Sequence, residues 1–284
     1  MTARTGSIRR RRRWSRITIY ALLIGLTLVF LFPFFWMIVT SLKFRTEHNE
    51  YPFHFFPRIP QWVNYIRALT WINFAKYLFN SSVIAGISVV TFTLSSALVG
   101  YGFARLRAPG RNVLFILVLS TMMLPYMVTI IPTYILFSRI HLTNSYWLWV
   151  LWGLSGSPFH IFLYRQFFAA IPKELEEAAT LDGCSWFQTF RRIFLPLSGP
   201  VIAVVAIFVF QWAWSDFINP LIFLTDDKTT LTIKLALGYT DPVGNGWPPV
   251  QCASALMYSL PIVILFFAAQ KQIIQGVVTT GLKG

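Results

Sequence analysis

The sequence predicts an all-α polytopic membrane protein: six transmembrane helices, with a cytoplasmic helix-bend-helix segment between the fourth and the fifth. Three observations predict it. The 284-residue chain is 56% hydrophobic and 17% aromatic but only 12% charged, too apolar for a soluble domain of this length. Six stretches, at 17–41, 78–104, 113–137, 147–168, 200–224 and 253–274, reach the roughly 20 mostly apolar residues that a helix needs to cross a bilayer. The net charge of +14 gathers at the ends of some of these stretches and avoids others.

The first element is a basic segment, 1–16, with an arginine run at 9–13 directly before the first apolar stretch. In a soluble protein so much positive charge would suggest nucleic acid. Here no aromatic-basic interleaving or recognition motif accompanies it, and its position suits the cytoplasmic flank of a membrane helix. Length argues against a signal peptide: its apolar core is about 7–15 residues, whereas this stretch continues through Pro33, Phe34, Phe35, Trp36 and Met37, so it is expected to stay as a first spanning helix.

With the first segment inside, Arg105, Arg107 and Arg111 after the second stretch, Arg191 and Arg192 before the fifth, and Lys283 in the tail at 276–284 fall on the same side. The connection SRIHLTNSY after the third stretch carries only Arg139, so both ends are expected in the cytoplasm. Two longer segments, 42–77 and 225–252, fall outside. The first is rich in proline and aromatics (YPFHFFPRIPQWVNY). The second reads as a loop, since Asp241-Pro242, Gly244-Asn245-Gly246 and Pro248-Pro249 each interrupt regular structure. Neither is expected to fold around a core of its own.

Cys184 and Cys252 are expected on opposite faces, which rules out an intrachain disulfide. His48, His54, His141 and His160 are scattered without metal-ligand spacing, so no metal site is expected.

The segment 171–199 is the longest on the cytoplasmic side, and it is charged. Pro172 suits a first helical turn, Glu174, Glu176 and Glu177 complement the N-terminal dipole, and Gly183 marks a stop. Ser185 is placed to cap a second helix carrying Trp186, Phe187 and Phe190, with Arg191 and Arg192 near an end imposed by Pro196. On the first of these helices Leu175, Ala178, Ala179 and Asp182 share a face. From periodicity alone, an amphipathic helix resting on lipid headgroups and a docking surface are equally good readings.

Residue identity adds more. Glu177-Ala178-Ala179, then Gly183, Ile193 and Leu195-Pro196 resemble the EAA motif of membrane subunits of ABC importers, in spacing and in identity. The stretches YGFARLRAPGRN, MMLPYMVTIIPTYILF, FLYRQFFAAIPKELEEAATLDG and GVVTTGLKG extend the likeness to the smaller six-helix permease of maltose and oligosaccharide importers, over nearly the whole chain. Cys184 stands where alanine is common. The resemblance implies a permease domain at 17–275 that shares a pathway with a second permease, an external sugar-binding protein, and two ATP-binding subunits that hold ATP and magnesium. It assigns ATPase coupling to Glu177, Ala178, Ala179, Asp182, Gly183, Ile193, Leu195 and Pro196.

No cofactor or catalytic site is expected in the chain itself. In Gly276-Val-Val-Thr-Thr-Gly281-Leu282-Lys283, Leu282 separates glycine from lysine, so no phosphate loop forms. Within the apolar stretches Asp216 stands out, because an acid at bilayer depth usually faces protein or water. Trp212 and Asn219 lie one turn to either side on a continuous helix. The three either meet sugar hydroxyls and ring faces or make an interhelical contact. Ser155 and Ser157, in GLSGSP, either line a pathway or let helices approach closely. An ion-coupled secondary transporter remains as an alternative function, although one good acid and no visible repeat favour it little. An intramembrane enzyme lacks its nucleophile, acid pair or zinc ligands.

Overall fold

The computed structural model describes residues 3–48, 50–240 and 245–281, with side chains described from 16 to 270 within them. Asp241, Pro242 and Gly244 of the expected turns, and Leu282, Lys283 and Gly284 of the tail, lie outside the described residues. Among the described residues the structure is helical, apart from one isolated antiparallel bridge between Thr240 and Gly246. The chain forms two compact units, Met1–Ile72 with Tyr239–Ser259, and Asn73–Gly238 with Leu260–Gly284.

In the first unit, α1 runs over Ala3–Ser41, so the helix begins within the basic segment and continues through Pro33. After it come α2 (Arg45–His48) and α3 (Val63–Thr70). The segments 42–77 and 225–252 are more ordered than their composition suggests, because they share a core that neither has alone. Ala68, Tyr239, Val250 and Ala253 are fully buried, Tyr239 Oη donates to the Ala68 carbonyl at 2.6 Å, and Trp71 meets Trp247 edge to face at 4.8 Å. Lys43, also buried, donates from Nζ to the His54 carbonyl at 2.7 Å.

The second unit is built around α4 (Phe74–Arg105). Asn73 caps it by accepting from the Lys76 amide at 3.4 Å. Its buried face carries small residues, Ser81, Ala85, Ser88, Ser96, Ala97 and Gly100, which let neighbouring backbones come close where lipid supplies no hydrophobic driving force between helices. Packed on α4 are α7 (Trp147–Ser155), α8 (Pro158–Ala170) and α12 (Gly199–Ser215).

Among the described residues, three helices are long and apolar enough to cross a membrane without interruption: Arg16–Ser41, Phe74–Arg105 and Pro248–Gln270, the last within α15 (Pro248–Gly281). The other expected crossings are broken, each for a local reason. The stretch 113–137 is two helices, α5 (Arg111–Ser120) with a 3₁₀ turn and α6 (Tyr126–Arg139), bent by 100°. Pro125 has no N–H and drives Leu124 out of the α region, to ψ 120°. The stretch 147–168 is divided between α7 and α8, where Gly156 takes φ +72° and Pro158 opens the next helix. The stretch 200–224 ends as α12 at Ser215. Asp216 is extended and a short α13 (Ile218–Phe223) follows.

The segment 225–252, expected as a loop, contains α14 (Leu231–Leu237), with Leu231 and Ile233 buried. Within the second unit, Asn80 Nδ2 donates to the Thr229 carbonyl at 2.9 Å and the Leu231 amide donates to Ser81 Oγ at 2.9 Å. Lys234 pairs with Asp226, and that hydrogen bond is the main reason the Asp226 carboxyl titrates below its ordinary range.

Candidate functional site

The charged segment folds as its sequence grammar requires. Helix α9 spans Glu174–Leu181, two residues later than Pro172 suggests, with all three glutamates in its first turn. Its end is a Schellman turn: Gly183 sits at φ +76°, its amide donates to the Thr180 carbonyl at 3.1 Å, and the Cys184 amide donates to the Ala179 carbonyl at 2.9 Å. Ser185 then opens α10 (Trp186–Thr189) with a full capping box. The Gln188 amide donates to Ser185 Oγ at 3.3 Å, and the Ser185 amide donates to Gln188 Oε1 at 2.8 Å.

Pro196 does not stop this helix. The chain passes from α10 through a π turn, Phe190–Phe194, into α11 (Leu195–Leu197), and the Leu195 amide reaches back to the Phe190 carbonyl. The wider turn absorbs the residue that lacks a donor and relieves its ring from the preceding carbonyl. A 79° bend at Ser198 then turns the chain into α12.

The two helices have different surroundings. Around α9 and the start of α10, apolar side chains face outward: Leu181 is 89% exposed, Trp186 55%, Phe187 48% and Leu175 41%. Glu177, Ala178, Asp182 and Gly183 are also exposed, Ala179 is buried, and Ile193 and Leu195 are half-buried with Pro196 exposed beside them. Phe190 and Phe194 point the other way, into a core with Ala97 and Tyr101 of α4, Tyr164 and Phe168 of α8, and Val201, Val205 and Val209 of α12. Ring centroids stand 4.9 Å apart for Tyr101 and Phe194, and 5.7 Å for Phe168 and Phe194.

Arg105 completes the attachment, and the sequence reading counted it only as a positive-side charge. Its side chain is 5% exposed. From the end of α4 it donates to the Phe168 carbonyl from Nε at 3.1 Å and from Nη2 at 2.6 Å, donates to the Ile171 carbonyl, and meets Glu176 Oε2 at 3.5 Å. Its guanidinium lies 5.1 Å from the centre of the Phe194 ring. One planar fork thus ties α4, the exit of α8, α9 and the π turn together. The signal for it was a single arginine closing a long helix, which composition cannot distinguish from a flank charge.

Asp216, Asn219 and Trp212 do not form one stripe, because the helix breaks between them. Asp216 Oδ1 accepts from the Asn219 amide at 3.2 Å and Oδ2 from Asn219 Nδ2 at 2.8 Å, so the carboxylate caps α13. Buried Asn219 in turn accepts from Tyr126 Oη at the start of α6. Tyr126 was absent from the candidate residues, and its hydroxyl joins the break at Pro125 to the break at Asp216. Trp212 packs instead edge to face on Phe92 at 5.6 Å. Asp216→Ala is expected to lower the thermal stability of the purified protein by about 1–3 kcal/mol, because it leaves the buried Asn219 amide without its partner. Asp216→Asn keeps one acceptor and should cost less. Equal melting of both variants and the native protein would remove the capping role.

Ser155 bonds back to the Trp152 carbonyl at 2.7 Å, and the Ser157 amide donates to Ser96 Oγ at 3.2 Å, while Ser95 Oγ donates to the Gly153 carbonyl at 2.5 Å. Serines of α4 thereby satisfy backbone groups freed where the helix breaks. Among the described residues, no group of three or more His, Cys, Asp or Glu could hold a metal ion, and both cysteines are free thiols.

Comparison with known proteins gives concordant results. A family profile described as "Binding-protein-dependent transport system inner membrane component" matches residues 96–279. An arabinooligosaccharides transport system permease protein, AraQ, of Halalkalibacterium halodurans is 34% identical over 281 residues, covering 96% of this chain and 100% of the relative. A diacetylchitobiose uptake system permease protein, DasC, of Streptomyces coelicolor is 32% identical, covering 96% and 98%. A chain in the crystal structure of a bacterial ABC transporter involved in import of the acidic polysaccharide alginate superposes with a TM-score of 0.79 at 20% identity, covering 92% of this chain and 97% of that one.

Proposed function

We propose, for a chain that belongs to the family of binding-protein-dependent transport system inner membrane components, that it is a permease subunit of an ATP-driven importer for a sugar or oligosaccharide. It forms the translocation pathway with a second permease, receives substrate from an extracytoplasmic binding protein, and leaves ATP and magnesium to two separate ATP-binding subunits. The relatives named for arabinooligosaccharide and diacetylchitobiose transport support the substrate class. Membership of this family disfavours a stand-alone ion-coupled transporter. Both chain ends, and the segment 171–199, lie on the cytoplasmic side in this reading.

One observation carries the mechanism: the segment that resembles the EAA motif is exposed and apolar at one end and fixed into the spans at the other. Leu181, Trp186 and Phe187 offer a docking surface to an ATP-binding subunit, with Glu177 and Asp182 at its edge. Phe190, Phe194 and Arg105 hold the opposite end to α4, α8 and α12. A shift of the ATP-binding subunits would then move helices rather than bend a loop, since a close-packed core transmits displacement.

The test is Leu181→Glu and Trp186→Glu in the co-expressed transporter. A charge in a desolvated contact costs several kcal/mol, so each variant should release the ATP-binding subunit during purification and lower substrate uptake by more than about tenfold, which is about 1.4 kcal/mol of coupling. Insertion and melting of the permease should be unchanged, because neither side chain packs in the core. Full co-purification with native uptake would refute docking at this surface.

A further inference from the structure

We propose that Tyr126 is a positioning residue for transport: its hydroxyl, acting through Asn219 and Asp216, holds the start of α6 to the start of α13, so that the breaks in 113–137 and 200–224 rearrange as one piece. This rests on the importer reading above. The observation that carries it is that α6 and α13 are joined at both of their ends, by contacts of very unequal number.

At one end the junction is made several times over. Phe223, the last residue of α13, is buried, and its ring meets Tyr134 at 5.6 Å, Phe137 at 6.2 Å and Trp152 at 5.6 Å. Its carbonyl accepts from the amide of Asn144, in the connection that follows α6, at 2.7 Å. Asn144 Oδ1 in turn accepts from the Thr225 amide at 3.2 Å, and the Asn144 carbonyl accepts from Lys228 Nζ at 2.9 Å. Loss of any one of these contacts leaves the others in place.

The other end is joined by one hydrogen bond among the described residues, from Tyr126 Oη to Asn219 Oδ1. Its direction is fixed. Asn219 is buried, its Nδ2 donates to Asp216 Oδ2 at 2.8 Å, and Asp216 Oδ1 takes the Asn219 backbone amide at 3.2 Å. The side-chain amide is thereby oriented with its oxygen toward the phenol, which must donate.

Neither helix can carry the alignment across from the firm end. Pro132 lies inside α6 and removes the bond to the Val128 carbonyl, and α13 has only six residues, with Pro220 among them. Each helix also starts directly after a break, the 100° bend before Tyr126 and the extended Asp216 at ψ 120°, where a few backbone dihedrals set its direction. Without the hydroxyl, each start follows its own break.

The test is Tyr126→Phe, which removes one oxygen and keeps the ring, in the complete transporter with its binding protein in lipid vesicles. In a Cys184→Ser, Cys252→Ser chain, nitroxides at the exposed positions Met127→Cys and Leu221→Cys report the Tyr126 end, and a second pair at Ile140→Cys and Thr225→Cys reports the Phe223 end. With Tyr126 present, dipolar broadening in the first pair should correspond to one separation, the same with and without a non-hydrolysable ATP analogue. In Tyr126→Phe that separation should spread, while the second pair keeps its own. Arabinooligosaccharide and diacetylchitobiose serve as transport probes. Saccharide imported per ATP hydrolysed should fall by about fivefold, the factor that one hydrogen bond of ordinary net strength is worth, with ATP hydrolysis retained. First-pair spectra that are identical in Tyr126→Phe and the native chain would overturn the proposal, and so would a separation that changes with the analogue while Tyr126 is present. A parallel loss of uptake and ATP hydrolysis would overturn it in favour of a bond that serves stability alone. Import of neither saccharide by the native complex would count against the substrate class of the importer, and the spectra would still decide whether Tyr126 holds the two starts together.

Discussion

Arg105→Ala is expected to stop substrate uptake while leaving the chain in the membrane. The side chain is 5% exposed and serves the Phe168 and Ile171 carbonyls and the Glu176 carboxylate from one guanidinium. Alanine strips a buried donor from each of these acceptors, at about 1–3 kcal/mol apiece. It also removes the guanidinium that lies over the Phe194 ring. The exposed residues proposed to dock an ATP-binding subunit remain, so that subunit should still associate, but α9 loses its tie to α4 and α8. ATP hydrolysis should therefore persist while uptake falls by more than about tenfold, a split between the two activities. Arg105→Lys keeps the charge without the fork and should recover only part of the uptake. Native uptake by Arg105→Ala at matched protein levels would show that the attachment through Phe190 and Phe194 suffices alone.

Gly100→Val should damage stability severely. A Cβ at Gly100 would stand 2.6 Å from Tyr164 Cβ and 3.1 Å from both the Arg165 amide nitrogen and the Ile161 carbonyl oxygen. Two of those three neighbours are backbone atoms of α8, so no rotamer change relieves the contact and α4 and α8 must separate. Overpacking of this kind costs typically about 1–3 kcal/mol and more where the backbone must move. It outweighs the few tenths of a kcal/mol, roughly, that a helix gains when valine replaces glycine, since valine is itself a poorer helix former than alanine. Gly102→Val is the control, since its nearest neighbour would be Leu106 Cδ1 at 3.9 Å. A large drop in melting temperature at 100 and near-native melting at 102 are expected. Equal melting of the two variants would mean that the α4–α8 contact is less close than described.

The stop at Gly183 and the cap at Ser185 were legible because both depend on nearest neighbours in the chain. A glycine at φ +76° and a serine three residues before a glutamine carry their own geometry. The same locality explains where the sequence reading fell short. A hydropathy window averages over Pro125, Gly156 and Asp216, each of which breaks a stretch that is apolar throughout. Asp216 and Trp212 were placed on one helix face by a periodicity that holds only while the helix continues, and it ends at Ser215. The segments 42–77 and 225–252 looked irregular because each alone lacks a core, and Tyr239 meets Ala68 only once the chain has folded back on itself.

By itself the sequence determined that the chain crosses a membrane in helices, and where its charged helix-bend-helix segment lies. Hydrophobic length and turn chemistry are short-range properties, set by a few successive residues and the solvent around them. Tertiary structure alone decided that Arg105 fastens this segment to α4 and α8, and that Asp216 turns inward to Asn219 and Tyr126. The partners concerned stand far apart in sequence. An arginine at a helix end satisfies a flank of charge equally well facing water or carbonyls, and only the packing of α4 against α8 brings those carbonyls within its reach.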